Sequence, residues 1–374
     1  MSFKFLHTAD WHIGRAFGGF APDTAAILKR ARLTVVDRLA AAARGVGAGH
    51  VVVCGDVFDG PGLPDRVLAE ALAKLNSHPD VRWHLLPGNH DPASMDGIWH
   101  RLARFGLPAN VEPLLEGRPK ALNPSVSLLP APLQSKSSVA DPTAWMDAAP
   151  SAPGVIRIGV AHGATQGFGG SSSLEGGIDA RRRSSAGLDY LALGDWHGKR
   201  EIADGVWYSG TPEPDQFPDN EPGFALVVEL TGVGAAPRVT AVATAAHVWI
   251  KLSVRPATAI DLSLVEQVLA ELGPRRGDAL LELTLHGIVS LDGDADISAR
   301  LAAIEPGLLH LRCRRNELVV DAGAEDLAEI TDPNVAAVAR QLLALRADPT
   351  EADVAAGALR RLFQLNRAAA GGAS

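Results

Sequence analysis

Five places in the chain set metal-competent polar side chains directly after a short apolar run: Asp10 and His12, Asp56, Asn89 and His90, His162, then Asp195 and His197. Carboxylate and amide oxygens mixed with imidazole nitrogens, and no thiolate among them, suit divalent transition ions such as manganese or iron. Asp56 is the candidate bridge between two such ions. It lies in the run Gly55-Asp56-Val57-Phe58-Asp59, where the glycine lets the backbone turn sharply. Two cations about 3.5–4 Å apart can clamp a phosphoryl group, lower the pKa of a bound water and stabilise both the attacking and the departing oxygen. The chemistry implied is phosphoester hydrolysis.

These residues are remote in sequence, so a fold must gather them. The apolar runs at 3–9, 50–55, 82–88, 155–161 and 189–194 read as buried strands. Between the early ones, residues 22–46 place Ile27, Leu28, Val35, Leu39 and Ala42 at near-helical spacing, and residues 64–77 do the same with Val67, Leu68, Ala71, Leu72 and Leu75. Strand-helix alternation of this kind makes an α/β layered fold. In open α/β sheets ligands gather at the carboxyl ends of strands, which predicts that the five motif ends converge on one rim.

Residues 119–153 and 165–177, rich in Pro, Ser and Gly, read as surface insertions. The runs 206–210, 224–230 and 238–244 follow without helices and read as a largely antiparallel closing segment. From about residue 246 a compact strand-helix-strand-helix-strand alternation reads as a small separate α/β domain. After Glu325 two helices are expected, one opening at Asp332-Pro333 and the other at Thr350. The expected division is therefore 1–245, 246–325 and a helical tail at 326–374.

With 374 residues, 47% of them hydrophobic, the chain can bury a core in at least two domains and is not disordered. Its 35 Lys+Arg against 43 Asp+Glu give a formal charge of −8, which argues against coating nucleic acid by global charge but leaves room for a local basic groove. Two cysteines, Cys54 and Cys313, cannot build a disulfide framework. No stretch reaches the roughly 18 apolar residues of a membrane helix, and the opening MSFKFLHTAD has no signal-peptide core, so a cytoplasmic protein without a membrane partner is expected.

In order, Asp10-Trp11-His12, Gly55–Asp59, Gly88-Asn89-His90-Asp91, His162-Gly163 and Gly194-Asp195-Trp196-His197 resemble the signature of the calcineurin-like metallophosphoesterases. The opening HTADWHIG and the later YSGTP resemble the SbcD branch, nuclease subunits of bacterial DNA-repair complexes, and the likeness covers roughly residues 1–230. It implies a layered sandwich of two mixed sheets flanked by helices, with a small α/β cap domain that contacts DNA. Asp10, His12, Asp56 and His197 would hold one ion, and Asp56, Asn89, His162 and Asp195 the second. The cofactor implied is a pair of divalent ions, Mn2+ first, with Mg2+ or Fe2+ as alternatives. His90 would face the scissile phosphate and assist the leaving group, with Asp91 orienting it. The resemblance also implies DNA as substrate, an SbcC-like coiled-coil ATPase as partner and a homodimer. One position departs from the usual G-H-x-H pattern: Asp195 puts a carboxylate where an imidazole is expected, making that half of the site harder and its water less acidic.

Other residues carry two readings each. Arg15, just after the first motif, is placed for a substrate phosphate or for a salt bridge in its loop. Arg181-Arg182-Arg183, and Arg312 with Arg314, read as nucleic-acid contacts or as solvated charge. Trp11 and Trp196 are expected to wall the site, with base stacking as the alternative. His7 reads as a core histidine. His50, His78, His84, His100, His247, His286 and His310 lack motif context. The apolar series Val335, Val338, Leu342, Leu345, then Val354, Leu359, Leu362, Phe363 serves intramolecular packing or the ATPase partner. The favoured function is a metal-dependent DNA nuclease. A phosphodiesterase or phosphatase for a small nucleotide and a non-catalytic metal-binding scaffold are the alternatives.

Overall fold

The computed structural model describes residues 2–167, 177–217, 219–255, 262–320 and 330–371. The chain forms two compact units, Met1–His247 and Val248–Ser374.

The first unit is built on two six-stranded mixed sheets. One holds β1 (Phe3–Thr8), β2 (His50–Cys54), β3 (Arg82–Leu86) and β4 (Val111–Pro113) in parallel, with β11 (Phe224–Leu230) antiparallel to β1 and β12 (Arg238–Ala243) antiparallel to β11. The other holds β6 (Val126–Ala131), β7 (Ile156–His162), β8 (Tyr190–Gly194) and β10 (Val206–Tyr208) in parallel, edged by β5 (Lys120–Asn123) and β9 (Arg200–Ala203) in the antiparallel sense.

Between the sheets lies a core of Phe5, Val52, Leu86, Leu128, Ile158, Tyr190 and Val228. Helices α1 (Pro22–Gly45), α2 (Asp65–Asn76) and α3 (Ile98–Phe105) cover the first sheet through Leu28, Val35, Leu39, Leu68, Leu72 and Leu102, and a single turn of helix, α4 (Arg182–Ser185), precedes β8. The helical spacing read in 22–46 is oriented by burial: Leu28 faces the core, whereas its neighbour Ile27 stays exposed. His7 fastens β1 to β8, Nε2 donating to the Leu193 carbonyl and Nδ1 accepting from the Tyr190 hydroxyl, both at 3.1 Å. Burial lowers its pKa to about 3, so the ring is neutral, as a core histidine should be.

Two expectations need correction. Residues 119–153 are not merely a surface insertion, because β6 is an interior strand whose Val126, Leu128 and Leu129 are buried. Pro130 disguises it, yet costs no antiparallel bond, since β5 pairs only as far as Leu128. The run 206–210 does not join an antiparallel closing segment; β10 pairs parallel to β8 in the second sheet, leaving only β11 and β12 antiparallel in the first. For the loop read at 165–177, residues 168–176 lie outside the described residues, while its flanks are pinned by Gln166 N donating to Ile178 O at 3.0 Å.

The second unit repeats a parallel motif: β13 (Val248–Val254), α5 (Ser263–Glu271), β14 (Ala279–Val289), α6 (Leu291–Ile304) and β15 (His310–Val320). Asp332 caps α7 (Pro333–Leu345), accepting from Asn334 N at 2.8 Å and Val335 N at 3.1 Å. Leu359 and Phe363 of α8 (Ala352–Gly371), with Val335 and Leu342 of α7, join the core of this sheet, while Val338, Leu345 and Val354 remain exposed. Both helices fall within the second unit; the expected boundary at 325 lies outside the described residues.

Candidate metal centre

The carboxyl ends of β1, β2 and β3 meet those of β7 and β8, so the rim that gathers the motif residues is made by two facing sheets and not by one. His162 at the end of β7 places its Nδ1 2.8 Å from the Cys54 carbonyl at the end of β2. The approach is close enough to demand glycine. A Cβ on Gly194 would lie 1.9 Å from the Cys54 carbonyl oxygen, and one on Gly55 would lie 2.1 Å from His162 Nδ1.

Four of the seven expected ligands, Asp10, His12, Asp56 and Asp195, hold their backbone at positive φ (56°, 43°, 52° and 103°). For residues with a Cβ this costs of order 1 kcal/mol or more each, so the surroundings must enforce it. They do so by running the first two motif loops side by side: Asp10 N donates to Gly55 O at 3.0 Å, His12 N to Asp56 O and Ile13 N to Val57 O, both at 2.9 Å.

Asp10, His12 and His197 can present ligand atoms within 4.8 Å of one another, as can Asp10, Asp56 and His162, and His12, Asp56 and His90. His12 Nε2 and His197 Nε2 face each other at 3.3 Å. The other nitrogen of each ring lies by a carboxylate, His12 Nδ1 at 3.4 Å from Asp59 and His197 Nδ1 at 3.3 Å from Asp215. Without metal, a proton shared between the two Nε2 atoms holds the rings together; burial would lower the His197 pKa, but Asp215 and Asp10 raise it. A cation held by both rings would take that proton's place. In the other half, His162 donates through Nδ1 to the Cys54 carbonyl, which aims Nε2 at Asp56 (3.5 Å) and Asp195 (3.7 Å) without a well-formed hydrogen bond. Asn89 Nδ2 donates to Asp195 at 3.3 Å, and its buried Oδ1 has no hydrogen bond. Buried polar atoms are rarely left so, and here they point where a metal ligand should. The donor set therefore fits a pair of divalent ions.

The titration of the centre reflects crowded negative charge. Burial raises Asp10 to about 6, against the pull of His197 and His162. Burial would raise Asp56 too, but His162 and His12 hold it below the usual carboxylate range. Burial would lower His162, yet Asp56, Asp10 and Asp195 raise it well above the usual imidazole value, so a proton takes the place of a cation there. His12, facing fewer carboxylates, is lowered by burial to about 4 despite Asp59.

His90 stands over this set, half-buried, its ring 4.7 Å from that of His12. Its backbone N donates to Asp56 Oδ1 and its Nδ1 to the Asp59 carbonyl, both at 2.9 Å, leaving Nε2 for a substrate. Asp91 does not orient the His90 ring, contrary to expectation. Fully buried, its two oxygens accept from Gly88 N at 2.7 Å and Phe58 N at 3.0 Å, pinning the loop because those N–H groups have no strand partner.

A family model described as calcineurin-like phosphoesterase matches residues 3–175. Over those residues the chain is similar to that family. Over 94 residues it is 37% identical to the SbcD subunit of the nuclease SbcCD from Rhodobacter capsulatus, a match that covers 24% of this chain and 22% of that protein, so the chain spans about a fifth of the relative's length. The crystal structure of TT1561 of Thermus thermophilus aligns over 65% of this chain and 100% of its own, at a TM-score of 0.41 and 10% identity.

In the first unit, each arginine of the run pairs with a carboxylate. Arg181 pairs with Asp179, buried Arg182 with Asp141 and Asp147, and Arg183 with Asp204. Arg312 and Arg314 of the second unit both turn to Glu282. Trp11 does not wall the site but is buried in the helix-covered core against Trp83, donating to Thr8 Oγ1 at 3.1 Å. Arg15 lies between Asp59 and Asp215, 3.3 Å from each.

Sequence reasoning missed Asp59 and Asp215 as partners of the two facing histidines, and Arg32 and Thr211 behind them. Asp59 closes the Gly55–Asp59 motif and Thr211 sits in YSGTP. Arg32 had a signal as well: it falls between Leu28 and Val35 on the buried stripe of α1, where a charge is out of place.

Proposed function

We propose that the chain is a metal-dependent DNA nuclease that hydrolyses phosphodiester bonds in DNA repair, in the cytoplasm, as a homodimer and with an SbcC-like coiled-coil ATPase as partner. The observation that carries the reading is the crowding of His and Asp side chains from several strand ends, Asp10 with His12 and His197 and Asp10 with Asp56 and His162, beside a buried Asn89 Oδ1 without a hydrogen bond. The name of the Rhodobacter relative and the resemblance in HTADWHIG and YSGTP favour a nuclease over other phosphoesterases.

Asp10, His12, Asp56 and His197 would hold one ion, and Asp56, Asn89, His162 and Asp195 the other. Bound there, two divalent cations, Mn2+ or else Mg2+ or Fe2+, would acidify a water and neutralise phosphoryl charge. His90, its Nδ1–H donated to the Asp59 carbonyl, would act as the imidazolium, giving its Nε2 proton to the departing oxygen and returning to the neutral ring. Arg15, three residues after His12 and with a side chain 31% exposed, would meet a substrate phosphate, while Asp59 and Asp215 hold it in place. Asp195 gives the second subsite three oxygen donors and one nitrogen, against two and two in the first.

A second reading, hydrolysis of a small soluble phosphoester, draws on the commitment of the arginine run and of Arg312 and Arg314 to carboxylates in this acidic chain. Incubation with Mn2+, end-labelled linear DNA and chromogenic phosphodiesters separates the two. Cleavage of the DNA is expected; turnover of the small esters with intact DNA would replace the nuclease reading by the second.

A further inference from the structure

Arg32, midway along α1, is 1% exposed, and its guanidinium meets two segments far apart in the chain. Nη1 donates to the carbonyls of Asp10 at 3.0 Å and Trp11 at 2.6 Å, and to Thr211 Oγ1 at 3.2 Å; Nη2 lies 3.5 Å from Asp215 Oδ2. Thr211 in turn donates to the same Asp10 carbonyl at 2.8 Å. These carbonyls belong to the turn in which Asp10 and His12 both take positive φ. Turned off the end of β1, they need donors inside the protein, and Arg32 and Thr211 provide them. Asp215 links the guanidinium to the other side of the subsite, with Oδ1 3.3 Å from His197 Nδ1.

We propose that Arg32 is the positioning residue of the first cation subsite: it holds the turn that presents Asp10 and His12 and, through Asp215, sets the ring of His197. Three of that subsite's four ligands thereby answer to one buried cation that touches neither metal nor substrate. The side chains of Asn89, His162 and Asp195 are held by one another, by Asp56 and by the Cys54 carbonyl, and reach the Arg32 network only indirectly, where Asp195 N donates to the Asp10 carboxylate at 3.1 Å, so that half should respond less and serves as the comparison. The inference rests on the two-ion reading above.

The test uses the full chain as wild type, Arg32→Lys and Asp215→Asn, with circular dichroism to confirm the fold and calorimetric Mn2+ titration as the readout. Wild type is expected to bind two ions. Each variant should keep the affinity of one and weaken the other about 10- to 100-fold, the usual effect of losing a group that orients metal ligands, with a matching loss of the Mn2+-induced thermal shift. Folded Arg32→Lys that binds both ions as wild type does would overturn the proposal. Equal weakening of both would also overturn it, since that marks general destabilisation. If Arg32→Lys does not fold, Asp215→Asn, which keeps the shape and removes the charge, decides by the same criteria. Wild type that binds no Mn2+ sinks the two-ion reading and this inference together, whereas two tight ions in wild type and in both variants sinks this inference alone.

Discussion

His12 Nε2 and His197 Nε2 face each other across 3.3 Å, and each ring's other nitrogen is turned to a carboxylate, Asp59 for one and Asp215 for the other. Beside the buried carboxylate of Asp10, two imidazole nitrogens are thus turned to a common position, which a shared proton fills in the absence of metal. A divalent cation at that position would displace the proton and bind both rings and the carboxylate together.

Stability should therefore follow metal. A ligand at 100 times its dissociation constant adds about 2.7 kcal/mol per site, which for a domain of this size raises Tm by roughly 5–10 °C. Chelation with EDTA, dialysis and readdition of Mn2+ in a thermal melt should lower and then restore the transition. Identical melts with and without metal would be incompatible with the centre described.

His90→Ala should separate catalysis from binding. No ligand side chain hydrogen-bonds the His90 ring, whose Nδ1 is committed to the Asp59 carbonyl, so Mn2+ titration should stay close to wild type while hydrolysis of labelled DNA falls about 10²- to 10⁴-fold, the range of a lost general acid. Activity within a factor of two of wild type would remove His90 from the chemistry.

Asp195→His should change metal choice more than fold. The substitution replaces a hard oxygen donor near His162 and Asn89 with a nitrogen, so the second subsite should shift from Mg2+ and Mn2+ toward Zn2+. Competition dialysis followed by elemental analysis gives the ratio; an unchanged preference would mean that Asp195 is not a ligand.

Acid should destabilise the protein through His7. Its folded pKa, about 3, lies below the unfolded value of 6.5, so the unfolded chain binds more protons below that value. The stability this group contributes is whole above pH 6.5 and is lost as pH falls toward 3, by up to a few kcal/mol. His7→Gln should be less stable at pH 7 but show a flatter decline between pH 6.5 and 4 in chemical denaturation. Parallel declines in the two proteins would show that His7 is not the titrating group.

How much of this was legible depended on whether a residue's environment was written beside it. The five strand ends could be read because Val51–Cys54 or Leu191–Gly194 is an apolar run that stops at a polar residue, and a buried parallel strand leaves that pattern. Strand β6 was hidden by Pro130 and the loop-like residues around it. Asp215 and Thr211 sit on a loop whose partners, His197 and Asp10, come from other segments, and pairing at that distance has no periodicity to betray it. Asp91 was assigned to the neighbouring His90, but its partners are Gly88 and Phe58, because backbone donors in a crossing loop outrank proximity in sequence.

The most direct measurement is anomalous scattering from Mn2+-soaked crystals. Two peaks are expected, one among Asp10, His12, Asp56 and His197 and one among Asp56, Asn89, His162 and Asp195. No peak at either position in crystals with Mn2+ at saturating concentration would contradict the two-ion centre.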